Sequence, residues 1–170
     1  HHSSKADAQD MRNMGGLKAH LPWTFVTFSI CALALAGLPF FSGFMSKEGI
    51  ILAAWDWANQ QGTWGYLIPD IALITAFITA LYVGRMVLLV FFGTTRSEIA
   101  EPVAESPFMK WPLALLSVGS LWIFFNWNPF AHTTWLFVGD YQPEGSLLIT
   151  ALSVLLVAAG LFMAIGVFKP

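Results

Sequence analysis

The chain has 170 residues, of which 56% are hydrophobic and only 11% are charged, and its formal net charge is −2. Soluble domains carry about 25% charged residues, so this composition excludes an ordinary soluble domain and favours a bilayer as the solvent. The charge excludes the basic surface that binds nucleic acids, and the single cysteine, Cys31, excludes an internal disulfide.

The ends of the sequence suggest a piece of a longer protein. The chain starts at His1 without a methionine and ends at Pro170 directly after an apolar run. No secretory signal pattern precedes the first apolar segment. Residues 1–4 (HHSS) are read either as native residues or as the remnant of a purification tag, and residues 1–22 as a loop on the cytoplasmic or matrix side.

Long stretches without charge predict membrane-spanning helices. A helix needs about 20 apolar residues to cross a hydrocarbon core of ~30 Å. An open strand cannot cross, because its edge N–H and C=O groups would remain unpaired, and the sequence lacks the alternation of a membrane barrel. We therefore predict an all-α, polytopic transmembrane bundle with about four crossings, at residues 23–60, 69–92, 111–125 and 146–168.

The basic residues predict the orientation of the spans. Lys5, Arg12 and Lys18 precede the first span, and further basic residues lie in the loop 94–110 and after the last span. The other two connections carry acidic residues but no Lys or Arg beyond Lys47. Because Lys and Arg are enriched in cytoplasmic loops, we expect a multi-pass protein, typically of a bacterial inner membrane, with both chain ends on the cytoplasmic side.

The first span is predicted to be a discontinuous helix. Gly37, Pro39 and Gly43 interrupt an otherwise apolar run. Proline removes a backbone donor and clashes with the preceding turn, and glycine relaxes the backbone. The segment before the interruption, residues 23–36, covers about 21 Å as a helix, which is too short to cross by itself.

A second apolar segment follows the interruption and would complete the crossing. Ser46 is predicted to cap its N-terminus, which places Glu48 near the positive end of the helix. Lys47 and Glu48 then lie at the break, inside the membrane. The alternative is one helix over residues 21–46 that leaves both charges at the far interface, and the apolar residues 50–57 favour the broken helix.

Other polar side chains within the second span are candidates for a polar axis. Thr75 and Thr79 lie one turn apart, and they either line a water path or bond their own helix backbone. Arg85 either pairs with a carboxylate or extends toward the cytoplasmic surface. The sequence contains no Cys/His metal spacing, phosphate loop or nucleophile elbow, so no cofactor, metal or nucleophile is predicted in this chain.

Three motifs in order resemble one membrane protein family. Residues 9–17 (QDMRNMGGL) look like the loop before a broken helix, residues 34–47 (ALAGLPFFSGFMSK) like the break, and residues 79–86 (TALYVGRM) with 91–93 (FFG) like the next helix. They are similar to the L subunit (chain 5) family of respiratory NADH-quinone oxidoreductase, complex I. The resemblance covers about half of the chain, and the last two spans fit only as apolar helices.

The resemblance implies proton translocation coupled to quinone reduction elsewhere in the complex. Lys47 would be the relay lysine of the second broken helix, and Glu48 would tune its proton affinity. Ser46, Thr75, Thr79 and Arg85 are the candidates for a polar axis beside it. In the family a second acid follows the first, whereas Gly49 stands at that position here.

The resemblance also implies where the redox chemistry lies. The chain would be a subunit of a translocase and carry out no redox step itself, because NADH, FMN, iron–sulfur clusters and quinone bind to other subunits. The implied partners are the lipid bilayer and the other membrane-arm subunits, especially the neighbouring antiporter-like subunit.

Two other functions stay open from the sequence. The first is a related subunit of a cation/proton antiporter or of a membrane-bound hydrogenase, since the break motif alone does not separate these proteins from complex I. The loop at residues 9–17 favours complex I. The second is a non-catalytic membrane scaffold, in which Lys47 and Glu48 are only an interfacial pair.

Overall fold

The computed structural model describes residue 11 and residues 14–94, 106–121 and 146–168. These residues form α-helices and the 3₁₀ turn Thr63–Tyr66, and they contain no β-strand. The helices are α1 Leu17–His20, α2 Pro22–Ala36, α3 Ser42–Gln61, α4 Leu67–Phe91, α5 Pro107–Gly119 and α6 Ser146–Val167. The predicted all-α class is confirmed.

Several predictions from the sequence fall on other residues. Residues 1–4, four of the nine residues of the motif at 9–17, most of the loop at 94–110 and the end of the third predicted span lie outside the described residues. They stay predictions.

The two long helices, α4 and α6, form the centre of the bundle. Among the described residues, Thr63–Phe91 and Leu147–Val167 are the two segments long and apolar enough to cross a membrane. The bounds of α4 and α6 agree with the predicted spans 69–92 and 146–168 to within two residues. The two helices run parallel and pack very closely. An added Cβ on Gly160 of α6 would lie only 2.7 Å from the Phe77 carbonyl oxygen of α4, so glycine is needed at this contact.

The shorter helix α2 runs beside only half of α4. Near its start, the Phe25 ring lies 5.2 Å from the Phe91 ring at the end of α4. At its other end, Ala36 packs in a buried cluster with Ala76, Ala80 and Val157, which lie near the middle of α4 and α6. The end of α2 is therefore at half the height of the two long helices.

The predicted interruption after α2 is confirmed. Gly37 ends the helix with φ 86°, a left-handed conformation that glycine adopts without strain, and its N–H bonds to the carbonyls of Leu33 and Ala34. The chain turns through Pro39 and Phe40, and α3 begins at Ser42.

The predicted N-cap of α3 was wrong. Phe41 occupies that position, five residues earlier than expected, whereas Ser46 lies inside the helix and its hydroxyl donates to the Gly43 carbonyl. The cause is Gly43, because its missing Cβ lets the first turn of α3 form directly against the α2 backbone at Ala34. Glu48 is consequently in the second turn of α3 and not beside the helix start.

The helix α5 also ends at the level of the break. It begins at Pro107, four residues before the predicted start of the third span, because proline fits the first position of a helix after the extended Ser106. Past its other end, the Ser120 carbonyl accepts a hydrogen bond of 2.9 Å from the Ser42 N–H. Two helix ends and one helix start thus meet at half the height of α4 and α6.

Candidate functional site

Lys47 lies at the meeting point of α2 and α3. Its aliphatic chain passes Gly37, where an added Cβ would lie only 3.0 Å from the Lys47 Cδ. Its Nζ donates to the Leu35 carbonyl at 2.7 Å and to the Ala36 carbonyl at 3.4 Å. The last carbonyls of a helix have no N–H partner within it and form the negative end of its dipole, so the ammonium group replaces the missing donors of α2.

Lys47 also borders a cavity of about 190 Å³ between α3 and α4. Its lining residues are mostly apolar, with one polar side chain from α3 and two from α4, and comprise Lys47, Ile50, Ile51, Ala72, Thr75, Ala76 and Thr79. A water molecule has a share of about 30 Å³ in the liquid, so the cavity has room for several. There is therefore space for water beside the Lys47 side chain.

Thr75 and Thr79 were predicted either to line a water path or to bond their own helix. The structure shows the bonds to the helix, because each hydroxyl donates to a carbonyl one turn earlier in α4, at 2.7 Å. Both residues also line the cavity with Lys47, and the water path stays a prediction. A hydroxyl oxygen that donates its proton still has lone pairs, which can accept from water.

The Glu48 side chain contacts a different helix from the one that Lys47 contacts. Its side chain is 3% exposed, and its carboxyl oxygens accept hydrogen bonds from Thr150, and from the Ser153 hydroxyl at 2.7 Å, both on α6. Consecutive residues of an α-helix point about 100° apart, since a turn has 3.6 residues. Lys47 therefore contacts the end of α2 while Glu48 contacts α6, and the tuning of one by the other stays a prediction.

The hydroxyls of Thr150 and Ser153 were missed in the sequence. They interrupt an otherwise apolar span three residues apart, so they share one face of α6. This spacing is a usable signal, because polar residues inside a membrane span usually face the interior of the bundle. Their partner lies about one hundred positions earlier, and nothing in the sequence pattern identifies it.

Two of the predicted axis residues do not line the cavity beside Lys47. The Arg85 guanidinium is 4.9 Å from the centre of the Phe168 ring, beyond the end of α6, which agrees with extension toward the helix end. Ser46 is exposed and bonds within α3. In the described part of the chain, no group of His, Cys, Asp or Glu side chains is arranged to hold a metal ion.

Comparison with known proteins supports the resemblance seen in the motifs. Residues 1–79 match the family described as "NADH:quinone oxidoreductase/Mrp antiporter, TM". Over 116 residues, 68% of this chain and 18% of the relative, the chain is 45% identical to NADH-quinone oxidoreductase subunit L of Mycobacterium tuberculosis. It is 41% identical over 120 residues, 69% of this chain and 18% of the relative, to NADH-ubiquinone oxidoreductase chain 5 of Allomyces macrogynus.

A third relative is chain 5 of Elephas maximus, which is 37% identical over 131 residues, 74% of this chain and 20% of the relative. The matched part thus spans a fifth or less of the length of these curated relatives. The predicted resemblance is confirmed, and the chain is a relative of this family of membrane proteins.

Proposed function

We propose that this chain, a relative of the antiporter-like membrane proteins that include NADH-quinone oxidoreductase subunit L, is part of a proton-translocating subunit of respiratory complex I. The observation that supports the proposal best is the position of Lys47. A lysine stands at an interrupted helix, at half the height of the bundle, between helix carbonyls and a cavity with room for water.

The geometry suits a lysine that exchanges a proton. An ammonium group has three N–H donors, and the described residues engage two of them through the carbonyls of Leu35 and Ala36. The third can donate to water in the cavity. When that proton leaves, the amine keeps donors for both carbonyls, so the side chain can stay in place through the cycle.

In this proposal, charge changes at a neighbouring site control whether Lys47 is protonated. A lysine at the centre of a membrane helix costs about 2.5–3.5 kcal/mol by insertion scales, and the carbonyls at the end of α2 offset part of that cost. One unit charge at ~10 Å shifts the protonation free energy by about 1.7 kcal/mol at an effective dielectric constant of 20. That is more than tenfold in proton affinity, so charge changes at a neighbouring site can load or unload Lys47.

In this proposal the redox chemistry takes place on other subunits. NADH, FMN, iron–sulfur clusters and quinone bind elsewhere, and the chain contributes only to proton movement. Its partners are lipid and the neighbouring membrane-arm subunits of the complex.

The proposal is tested by substituting Lys47 in the full-length subunit within the assembled complex. Lys47→Ala should strongly reduce NADH-driven proton pumping in vesicles, while native gels show intact assembly. Lys47→Arg should be nearly as poor, because arginine stays protonated and cannot release a proton. Glu48→Gln should have a milder effect than either.

The matched control is Ser46→Ala, which alters an exposed neighbour in the same helix turn. It should leave pumping unchanged. Near-normal pumping by Lys47→Arg would overturn the relay and favour a lysine that only anchors the end of α2.

A cation/proton antiporter is the second candidate, because the description of the matched family also names Mrp antiporters. The two functions differ in the energy source for proton movement, which is NADH oxidation in complex I and a cation gradient in an antiporter. Exchange of Na⁺ for protons in vesicles without NADH, abolished by Lys47→Ala, would favour the antiporter over complex I.

A further inference from the structure

Apart from Lys47, the basic side chains of the described residues lie toward one end of the bundle, where α2 and α5 begin and α4 ends: Lys18, His20, Arg85 and Lys110. In the described ranges this end carries no Asp or Glu, whereas the opposite end carries Asp56 and Asp70 and no Lys or Arg. We infer that Lys18 and Lys110 hold the headgroup of an anionic phospholipid, whose acyl chain lies on the outward face of α2.

The Lys18 ammonium group is held over two aromatic rings. Its Nζ lies 4.9 Å from the centre of the Phe25 ring on α2 and 5.0 Å from that of the Phe92 ring after α4. The Gly16 N–H bonds the Phe92 carbonyl at 3.3 Å and so fixes the chain beside it. Ring faces attract a cation, but two rings do not satisfy all three N–H donors of an ammonium group. Within the described residues no oxygen accepts from Lys18, so a donor remains for a phosphate oxygen.

Lys110 lies on the other side of α2, in the first turn of α5. The Trp23 indole N–H donates to the Lys110 carbonyl at 3.4 Å, which joins the starts of the two helices. The first turn of α5 contains no acidic residue, and the start of a helix is the positive end of its dipole. Lys110 therefore adds a positive charge where the field of the helix is already positive, and an anion at this position is stabilised by both.

The outward face of α2 lies between the two lysines. Consecutive residues of a helix point about 100° apart, so Val26 is about 100° from Phe25 in one direction and about 60° from Trp23 in the other. Phe25 contacts Lys18, and Trp23 contacts the start of α5. Val26 is 52% exposed, so an apolar chain can lie against it with a headgroup between the two basic flanks.

Two tryptophans place this end of α2 at the level of lipid headgroups. Trp23 and Trp111 are 46% and 71% exposed, and tryptophan is enriched where the hydrocarbon core meets water. The local charge selects an anionic lipid. A zwitterionic headgroup would bring its own cation next to Lys18 and Lys110, whereas the phosphate of an anionic lipid balances their charge.

The test is photo-crosslinking of the full-length protein in vesicles of equal parts phosphatidylcholine and phosphatidylglycerol. One lipid or the other carries a photoreactive acyl chain, and mass spectrometry locates the labelled residues. Wild type should be labelled around Val26 several-fold more by phosphatidylglycerol. Each basic residue near an anionic surface strengthens binding about fivefold, so Lys18→Gln and Lys110→Gln should each lower the preference by about that factor. Lys18→Arg, which keeps a cation over the rings, should retain it.

Arg85→Gln is the matched control. It removes a charge from the same end of the bundle, but the guanidinium lies over the Phe168 ring and not beside α2. It should leave the preference unchanged. Equal labelling by both lipids, or an equal loss in Arg85→Gln and Lys18→Gln, would overturn the inference, as would crosslinks from Val26 to another protein in place of lipid. The labelling does not require proton movement, so its outcome is independent of the proposed function.

Discussion

Replacing Gly43 with alanine tests how the break between α2 and α3 is held together. An ideal Cβ at Gly43 would overlap the carbonyl oxygen of Ala34 and lie 2.7 Å from its carbonyl carbon. Even attractive carbon–oxygen contacts keep about 3.3 Å. Since the neighbour is helix backbone and not the tip of a flexible side chain, α3 must move away from α2 by about 1.5 Å to reach that separation.

The expected loss of stability has two parts. Inserting a methyl group into a closely packed contact costs about 1–3 kcal/mol. The same displacement would stretch the 2.7 Å bond from the Lys47 Nζ to the Leu35 carbonyl, and a hydrogen bond from a charged group contributes about 1.5–3 kcal/mol. Alanine in a helix regains about 1 kcal/mol over glycine, so Gly43→Ala should destabilise the folded state by about 1.5–5 kcal/mol.

Gly49→Ala is the matched control, because it lies in the same helix and an added Cβ there meets no atom within 4 Å. That change should stabilise α3 by about 0.5–1 kcal/mol. Thermal unfolding of the full-length subunit in the assembled complex measures both variants. If Gly43→Ala unfolds at the same temperature as Gly49→Ala, the close contact between α2 and α3 is not what holds the break.

Two more predictions concern orientation and Arg85. Single cysteines replacing Ser97 and Gln142 in a cysteine-free background should be labelled by an impermeant reagent from outside only at residue 142, because the basic residues cluster on the other side. Labelling of residue 97 from outside would contradict the predicted orientation. Arg85→Gln should keep near-normal NADH-driven pumping, because the guanidinium lies over the Phe168 ring and not in the Lys47 cavity. A loss as large as that of Lys47→Ala would show that Arg85 belongs to the proton path.

The bounds of a helix could be predicted from the sequence where residues next to the helix end cause it to stop. The bounds of α4 and α6 follow from long, mostly apolar runs, and α2 stops at Ala36 because Gly37 and Pro39 follow. The restart at Ser42 was not predictable in the same way. A glycine inside a helix usually weakens it, whereas Gly43 permits a contact with another helix that offsets this cost.

By itself, the sequence determined that the chain is an α-helical membrane protein, where its first span breaks, and that Lys47 and Glu48 follow the break. Only the tertiary structure decided what these two side chains contact. Lys47 bonds the end of α2, and Glu48 bonds hydroxyls 102 and 105 residues away on α6. The reason is physical: helix ends depend on nearby residues, but the partner of a buried polar group depends on how whole helices pack, and a pattern along one chain does not contain that arrangement.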